Sequence, residues 1–262
     1  MSADDPIHVV SILNFPPQRR YRQMVAMFLH RIVQCGAERL TLLYEADTPW
    51  LPDQLDSRCT VELRRGRSID LGHPHHNLRF KLPNLASIDE PFLFLDADTA
   101  ALGHLAPLWA LRHDKPWIGI DHQWVPADPR THRLPFLNSG VQLVGDPAFY
   151  DLDAMLAVQN SAAPLARRAE FTKAELFACP GTDQAVLYRY FRSIGYDYTH
   201  PSATAAWNSC AGVTQLTRDD TGWRGQTVGL APDYPVHLVH YWSQFKPWAI
   251  QCPLFAEYAH IL

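Results

Sequence analysis

Apolar and polar positions fall into alternating blocks along the first half of the chain. Ile7–Leu13 is a short apolar run rich in β-branched residues, which predicts a buried strand. From Tyr21 to Val33 the apolar positions Tyr21, Val25, Phe28 and Ile32 recur every three or four residues. That is the period of an amphipathic helix, and Gly36 is placed to end it. Leu40–Tyr44 is a second apolar run, so strand, helix and strand follow at the spacing of a βαβ unit, the building block of parallel sheets. Cys59–Leu63 predicts a weaker strand, and Leu78–Ala86 a helix that Pro83 limits or shifts. Phe92–Leu95 predicts a central strand that stops at charge. Trp117–Ile120 and Val141–Val144 predict further strands, Tyr150–Val158 and Asp183–Ile194 helices, and Val236–Trp242 a late strand. The class is α/β, with a mixed, mostly parallel central sheet flanked by helices and a longer-looped second half.

Composition narrows what such a chain does. Of 262 residues, 47% are hydrophobic and 19% charged, which fits a packed core and excludes a disordered chain. The net charge of −4 gives no footprint for nucleic acid, so no nucleic-acid partner is expected. No apolar stretch approaches the ~20 residues that span a bilayer, so no integral membrane segment is expected either. The start, MSADDP, is acidic where a secretory leader would be basic. Cys35, Cys59, Cys179, Cys210 and Cys252 are dispersed and odd in number, as reduced core thiols in the cytoplasm would be. No repeat or linker is visible, and residues 1–262 read as one domain, with a nucleotide-binding half at about 1–100 and an acceptor-binding half at about 101–262.

The chemistry concentrates at strand ends. Asp96 and Asp98 follow the apolar run Phe92–Leu95, at the carboxyl end of a strand, where open α/β sheets place their ligands. In extended backbone both side chains would point to one side, with Ala97 facing away. Two carboxylates held that close repel, and a divalent cation such as Mg²⁺ or Mn²⁺ relieves the repulsion. The same pattern also serves two solvated aspartates capping a turn, so by itself it leaves both readings open. His237 and His240 would alternate across a strand, so only one can face a given site. Lys246 precedes Pro247 and sits in extended or turn backbone, fit to present an ammonium to phosphate, or merely solvated. His73-Pro-His75-His76 reads as surface loop rather than a metal tract. Trp124, Trp207 and Trp223 lie in loop-like sequence and are candidate sugar-stacking platforms, and Thr182 is a candidate N-cap.

Taken in order, six motifs resemble the retaining glycosyltransferases of family 8. They are Leu78-Arg-Phe-Lys-Leu82, Leu95-Asp-Ala-Asp98, Leu137-Asn-Ser-Gly-Val141, Thr182-Asp-Gln-Ala-Val-Leu187, Trp207-Asn208 and His240-x5-Lys246-Pro-Trp248. The resemblance implies a GT-A nucleotide-diphospho-sugar transferase fold and a donor that is a nucleoside diphosphate sugar, most often a UDP-sugar. It also implies a carbohydrate or glycoconjugate acceptor. Asp96, Asp98 and His240 would hold Mn²⁺ or Mg²⁺. Arg79, Asn138, Gly140 and Lys246 would bind the donor, while Asp183 and Gln184 would act at the reacting carbon, either by stabilising front-face attack or through a covalent Asp183 intermediate. The opening loop departs from the family, running Ser11-Ile-Leu-Asn14-Phe15-Pro16-Pro17 instead of an acidic stretch. Asn14 would contact the nucleoside there and Phe15 stack on its base. The alternatives are an inverting GT-A transferase, a nucleotidyltransferase, or a non-catalytic sugar-nucleotide binder.

Overall fold

The computed structural model describes residues 5–53, 55, 57–70, 77–120, 137–161, 183–211, 214–227, 233–241, 245–250 and 252–261. The strands of its central sheet are β1 (His8–Ile12), β2 (Arg39–Tyr44), β3 (Thr60–Arg65), β4 (Phe92–Leu95), β6 (Trp117–Gly119) and β7 (Val141–Val144). The fifth strand of the chain, β5 (Thr99–Ala101), belongs to a separate sheet. The order across the central sheet is β3-β2-β1-β4-β7-β6. β1 runs parallel to β2 and to β4, and β2 to β3, while β7 runs antiparallel to both neighbours. The expected mixed, mostly parallel sheet is therefore what these runs form.

Helix α1 (Arg19–Gln34) makes the crossover from β1 to β2, burying Met24, Val25, Phe28, Leu29 and Ile32. It stops where the periodicity predicts. Gly36 takes φ 103°, open to glycine at no steric cost, and Ala37 N donates back to Ile32 O at 2.9 Å. Both faces of the sheet are covered, which is why its strands read as continuous apolar runs. Val9, Leu42, Leu93, Leu95 and Leu143 pack on one side with α1. Val10, Leu43, Phe92, Phe94 and Val144 pack on the other with Val186, Leu187 and Phe191. The chain leaves β1 toward β2 on one flank and reaches β4 on the other, and the crevice such a switch opens at the carboxyl ends is the usual ligand edge.

The predicted helix over 78–86 divides in two. A π turn covers Asn77–Lys81 and a short helix, α2 (Leu82–Leu85), follows. Pro83 has no N–H to offer Arg79 O, and that carbonyl accepts from Ile69 N at 3.0 Å instead. Beyond α3 (Ala106–Ala110), α4 runs Leu152–Ser161, starting two residues later than the periodicity suggested because Asp151 Oδ1 caps Ala154 N at 3.0 Å. Helix α5 (Asp183–Ser193) lies against the sheet through its buried face.

The second half holds two further sheets. β5 pairs antiparallel with β12 (Leu238–His240), which pairs parallel with β8 (Ser209–Cys210). The third consists of β9 (Thr214–Asp219), β10 (Gly222–Thr227) and β11 (Tyr234–Pro235), all antiparallel. The late strand is shorter than Val236–Trp242, and the β9–β10 hairpin has no counterpart in the expected elements. Its turn is set by Asp219, whose Oδ1 accepts from Thr221 N at 2.7 Å, and by Gly222 at φ 128°. Among the described residues, Cys35, Cys59, Cys210 and Cys252 are joined by no disulfide, and Cys179 lies outside them. A short α6 (Pro253–Ala256) packs Leu254 and Phe255 against Met24 and Met27 of α1.

Candidate active site

The backbone turns as soon as β4 ends. Thr99 N donates to Asp96 O at 3.0 Å, closing a turn over residues 96–99. The extended backbone expected across Asp96-Ala97-Asp98 is thus replaced by a turn, because Asp96 N is held by Gly140 O at 2.8 Å while Thr99 already begins β5. It is the turn that brings the carboxylates together. β12 supplies the third group, since its pairing sets His240 opposite Thr99. His240 Nε2 lies 3.2 Å from Asp98 Oδ1 and 3.8 Å from Asp96 Oδ2. One ligand atom from each of the three residues falls within 4.8 Å of the others, a set that can hold a divalent cation. His237 faces away, as the alternation predicted, and stacks on Trp207 with ring centroids 4.3 Å apart.

Gly140 forms one wall of this cluster. A Cβ there would overlap His240 Cε1 and fall 2.7 Å from Asp96 Oδ2. Gly140→Ala is therefore expected to push the imidazole off its position and to lower Mn²⁺ affinity by roughly ten-fold or more, the scale of losing a ligand's support. Mn²⁺ titration followed by electron paramagnetic resonance checks this; unchanged affinity would mean the close approach of Gly140 is not needed. The loop before β7 continues the wall. Asn138 Oδ1 accepts from Gly140 N at 2.9 Å, and Gln184 Oε1 accepts from Asn138 Nδ2 at 3.2 Å and from Ser139 N at 3.1 Å. The sequence-predicted pair Asn138 and Gln184 are thus direct neighbours.

A residue given no role by the sequence ties the halves of the site together. Lys81, on the π turn, is 1% exposed, and its Nζ lies 2.7 Å from Ser139 O, 3.4 Å from Asp96 Oδ1 and 3.1 Å from Asp183 Oδ2. Asn77 Nδ2 donates to Asp183 Oδ1 at 3.3 Å. Burial opposes charge on Asp183, but Lys81 and the hydrogen bonds from Ser139, Lys81 and Asn77 outweigh it, holding this carboxyl below the usual carboxylate range. Burial likewise opposes charge on Lys81, and Asp183 and Asp96 overcome it, pushing the ammonium upward. Asp98 is also held well below the usual range, since His240 and Lys246 outweigh its burial. Asp96 is raised, by burial that Lys81 does not fully offset and by Asp98 beside it. Three carboxylates therefore face two ammonium groups, which leaves room for added positive charge.

Lys246 is ion-paired with Asp98. Two residues on, Trp248 meets Tyr21 edge-on at 5.1 Å, and Tyr21 stacks with Phe15 at 5.7 Å. Phe15 and Tyr21 line a cleft of about 520 Å³ at the carboxyl ends of β1 and β2, together with Asn14, Arg22, Glu45 and Trp50. The segment Lys246-Pro247-Trp248 thus bridges the carboxylate cluster and the cleft. Asn14 Oδ1 accepts from Glu45 N at 2.8 Å, fixing that amide at the cleft edge. Arg79 stands two residues before Lys81, with a buried Nε that has no partner among the described residues.

Of the tryptophans proposed as sugar platforms, Trp207 is 5% exposed and belongs to the core, since His237 covers its ring. Trp223 lies on β10 rather than in a loop, beside the Arg218 guanidinium. Trp124, the His73–His76 tract and Thr182 lie outside the described residues.

No family model matches the sequence, and no curated protein matches it either. Solved structures do. The galactosyltransferase LgtC, in complex with donor and acceptor sugar analogs, superposes with a TM-score of 0.57 at 16% identity, covering 98% of this chain and 96% of that one. The chain has the GT-A fold. The apo-form glycosyltransferase GlyE of Streptococcus pneumoniae TIGR4 is similar over 97% of this chain, with a TM-score of 0.55 at 14% identity; this chain spans 60% of GlyE. The family resemblance read from six motifs is thus met at the level of the GT-A fold. Among the described residues, no helix of this GT-A chain is long and apolar enough to cross a membrane.

Proposed function

We propose that this chain is a metal-dependent glycosyltransferase that moves a sugar from a nucleoside diphosphate sugar, a UDP-sugar, to a hydroxyl of a carbohydrate or glycoconjugate, with retention of anomeric configuration. The observation that carries this reading is the convergence of Asp96, Asp98 and His240 at the ligand edge of the sheet. The likeness to a galactosyltransferase structure containing donor and acceptor analogs supports it. Asp96, Asp98 and His240 would hold Mn²⁺ or Mg²⁺, which would supply positive charge for the departing diphosphate. Lys246 adds an ammonium for the same phosphates, and Arg79 offers an Nε that has no partner among the described residues. Asn138, Gly140 and Gln184 bound the sugar, while Asn14 and Phe15 hold the nucleoside in the cleft.

Asp183 acts at the reacting carbon. Its Oδ1 accepts from Asn77, its Oδ2 is ion-paired with Lys81 and the side chain is buried, so the fitting role is to stabilise positive charge on the sugar ring rather than to form a bond to it. That favours front-face attack over a covalent intermediate. The chain works in the cytoplasm, as one domain whose cleft belongs to the nucleotide-binding half.

A thermal-shift panel of UDP-, GDP-, dTDP- and CMP-sugars, each with and without Mn²⁺, tests the donor assignment. A ligand at 100 times its Kd adds about 2.7 kcal/mol, and at this chain length ~1 kcal/mol moves Tm by roughly 2–4 °C. A shift that requires both Mn²⁺ and the UDP-sugar is expected. No shift with any donor would count against the transferase reading, and a product of inverted configuration would overturn retention.

A further inference from the structure

We infer that Asn208 is the positioning residue of this site: it holds His240 with the proton on Nδ1, leaving Nε2 free to ligate metal, and joins that histidine to the sugar-facing pair Asn138 and Gln184. The inference rests on the metal reading above and extends it to a residue to which that reading gives no part.

Asn208 is fully buried at the end of the short 3₁₀ turn Ala205–Trp207. Its Oδ1 lies 3.2 Å from His240 Nδ1, and its Nδ2 donates to Ile120 O at 2.9 Å and to Asn138 Oδ1 at 3.2 Å. These contacts allow the amide only one orientation. Ile120 O is a carbonyl and accepts only. Asn138 Oδ1 is in turn fixed as an acceptor because Gly140 N donates to it at 2.9 Å. Turning the Asn208 amide over would set its oxygen against both of those oxygens. With Nδ2 committed to them, Oδ1 must face the imidazole, and an amide oxygen can only accept. His240 Nδ1 therefore carries a proton, and Nε2, the atom 3.2 Å from Asp98 Oδ1 and 3.8 Å from Asp96 Oδ2, is the ring nitrogen left to offer its lone pair to a metal held by those carboxylates. Metal-ligating histidines generally need such an outer partner to fix tautomer and ring orientation. The same amide continues through Asn138 Nδ2 to Gln184 Oε1 at 3.2 Å, so a single chain of side chains runs from the metal histidine to the residue proposed to face the sugar.

Two readouts test this. Long-range ¹H–¹⁵N spectra of histidine-labelled protein loaded with Zn²⁺, a diamagnetic probe ion, report which His240 nitrogen carries the proton, with His240→Gln providing the assignment. The Nδ1–H form is expected in the native chain; an Nε2–H form there would overturn the inference, whatever the variants do. Mn²⁺ affinity is measured in parallel by paramagnetic resonance of the free ion. Asn208→Leu is expected to lose the Nδ1–H preference and to weaken Mn²⁺ binding by about 10–100-fold. Asp96→Asn separates the two readings. Should it weaken Mn²⁺ binding while Asn208→Leu does not, the inference alone fails. Should Mn²⁺ binding ignore Asp96→Asn as well, the metal reading fails and takes the inference with it.

Discussion

Asp98→Asn is expected to abolish the stabilisation that a UDP-sugar gives in the presence of Mn²⁺, removing the whole shift of roughly 5–10 °C that a ligand at 100 times its Kd would produce. The substitution takes one negative charge from a cluster whose ligand atoms lie within 4.8 Å of one another, and an amide oxygen is a far weaker partner for a hard cation. The fold is expected to survive, because the structural contact at this position is made by the backbone: Tyr241 N donates to Asp98 O at 2.8 Å. Asp96→Asn is expected to give the same loss of Mn²⁺ dependence with a modest cost in stability, since Lys81 keeps Asp183 and Ser139 as partners. A Mn²⁺-dependent shift retained in both variants would remove the aspartates from the metal site.

The largest effect on stability is expected from Lys81→Met. The ammonium is 1% exposed and lies 3.1 Å from Asp183 and 3.4 Å from Asp96, so its removal strands a buried carboxylate. Breaking a buried pair in this way costs about 3–5 kcal/mol, read directly from urea unfolding at pH 7. The pH dependence carries the sign. In the native chain Asp183 titrates below its ordinary value, so its contribution is present above pH ~3.8 and is lost as pH falls through the folded value. Without Lys81 the same carboxyl titrates above that value, and the variant loses stability as pH rises through it. The gap between native chain and variant should therefore be widest near neutrality and narrow below pH ~4. A difference under ~1 kcal/mol at pH 7, or one indifferent to pH, would mean that the lysine does not balance these charges.

The parts of this molecule that sequence makes legible are those decided by burial. β1, β2, β4 and β7 are buried almost throughout, and a chain buried on both faces has few ways to hide its pattern. The β9–β10 hairpin escaped because its strands are polar and half-exposed, although Asp219-Asp-Thr-Gly222 between them is a turn sequence with a clear mechanism. The metal candidates were readable as residue types at strand ends. The geometry uniting Asp96 with Asp98 was not, since a turn and an extended run share the same letters. Lys81 escaped for a different reason: a lysine in a helical segment ordinarily points to water, and only the π turn and the two aspartates across from it make this one internal. Trp207 shows the converse error, an aromatic assigned to the surface because its neighbours looked like loop. Asn208 was part of a recognised motif, but its role depends on Ile120 and Asn138, 88 and 70 residues away.

The reversed direction of β7 has a consequence for how this centre tolerates change. In an all-parallel sheet the ligand edge is furnished only by residues that follow strands; here Asn138, Ser139 and Gly140 precede one. Their placement against Asp96 is set by backbone pairing, Leu95 opposite Val141 through Phe92 opposite Val144. A slip of one residue would carry the Asn138–Gly140 loop along by about 3.4 Å and turn every β7 side chain to the other face. On the metal reading proposed above, cation binding would thus report strand alignment. On that reading, a variant of Leu93 or Leu143 that retains secondary structure yet binds Mn²⁺ less well than the native chain would have lost its alignment rather than its chemistry.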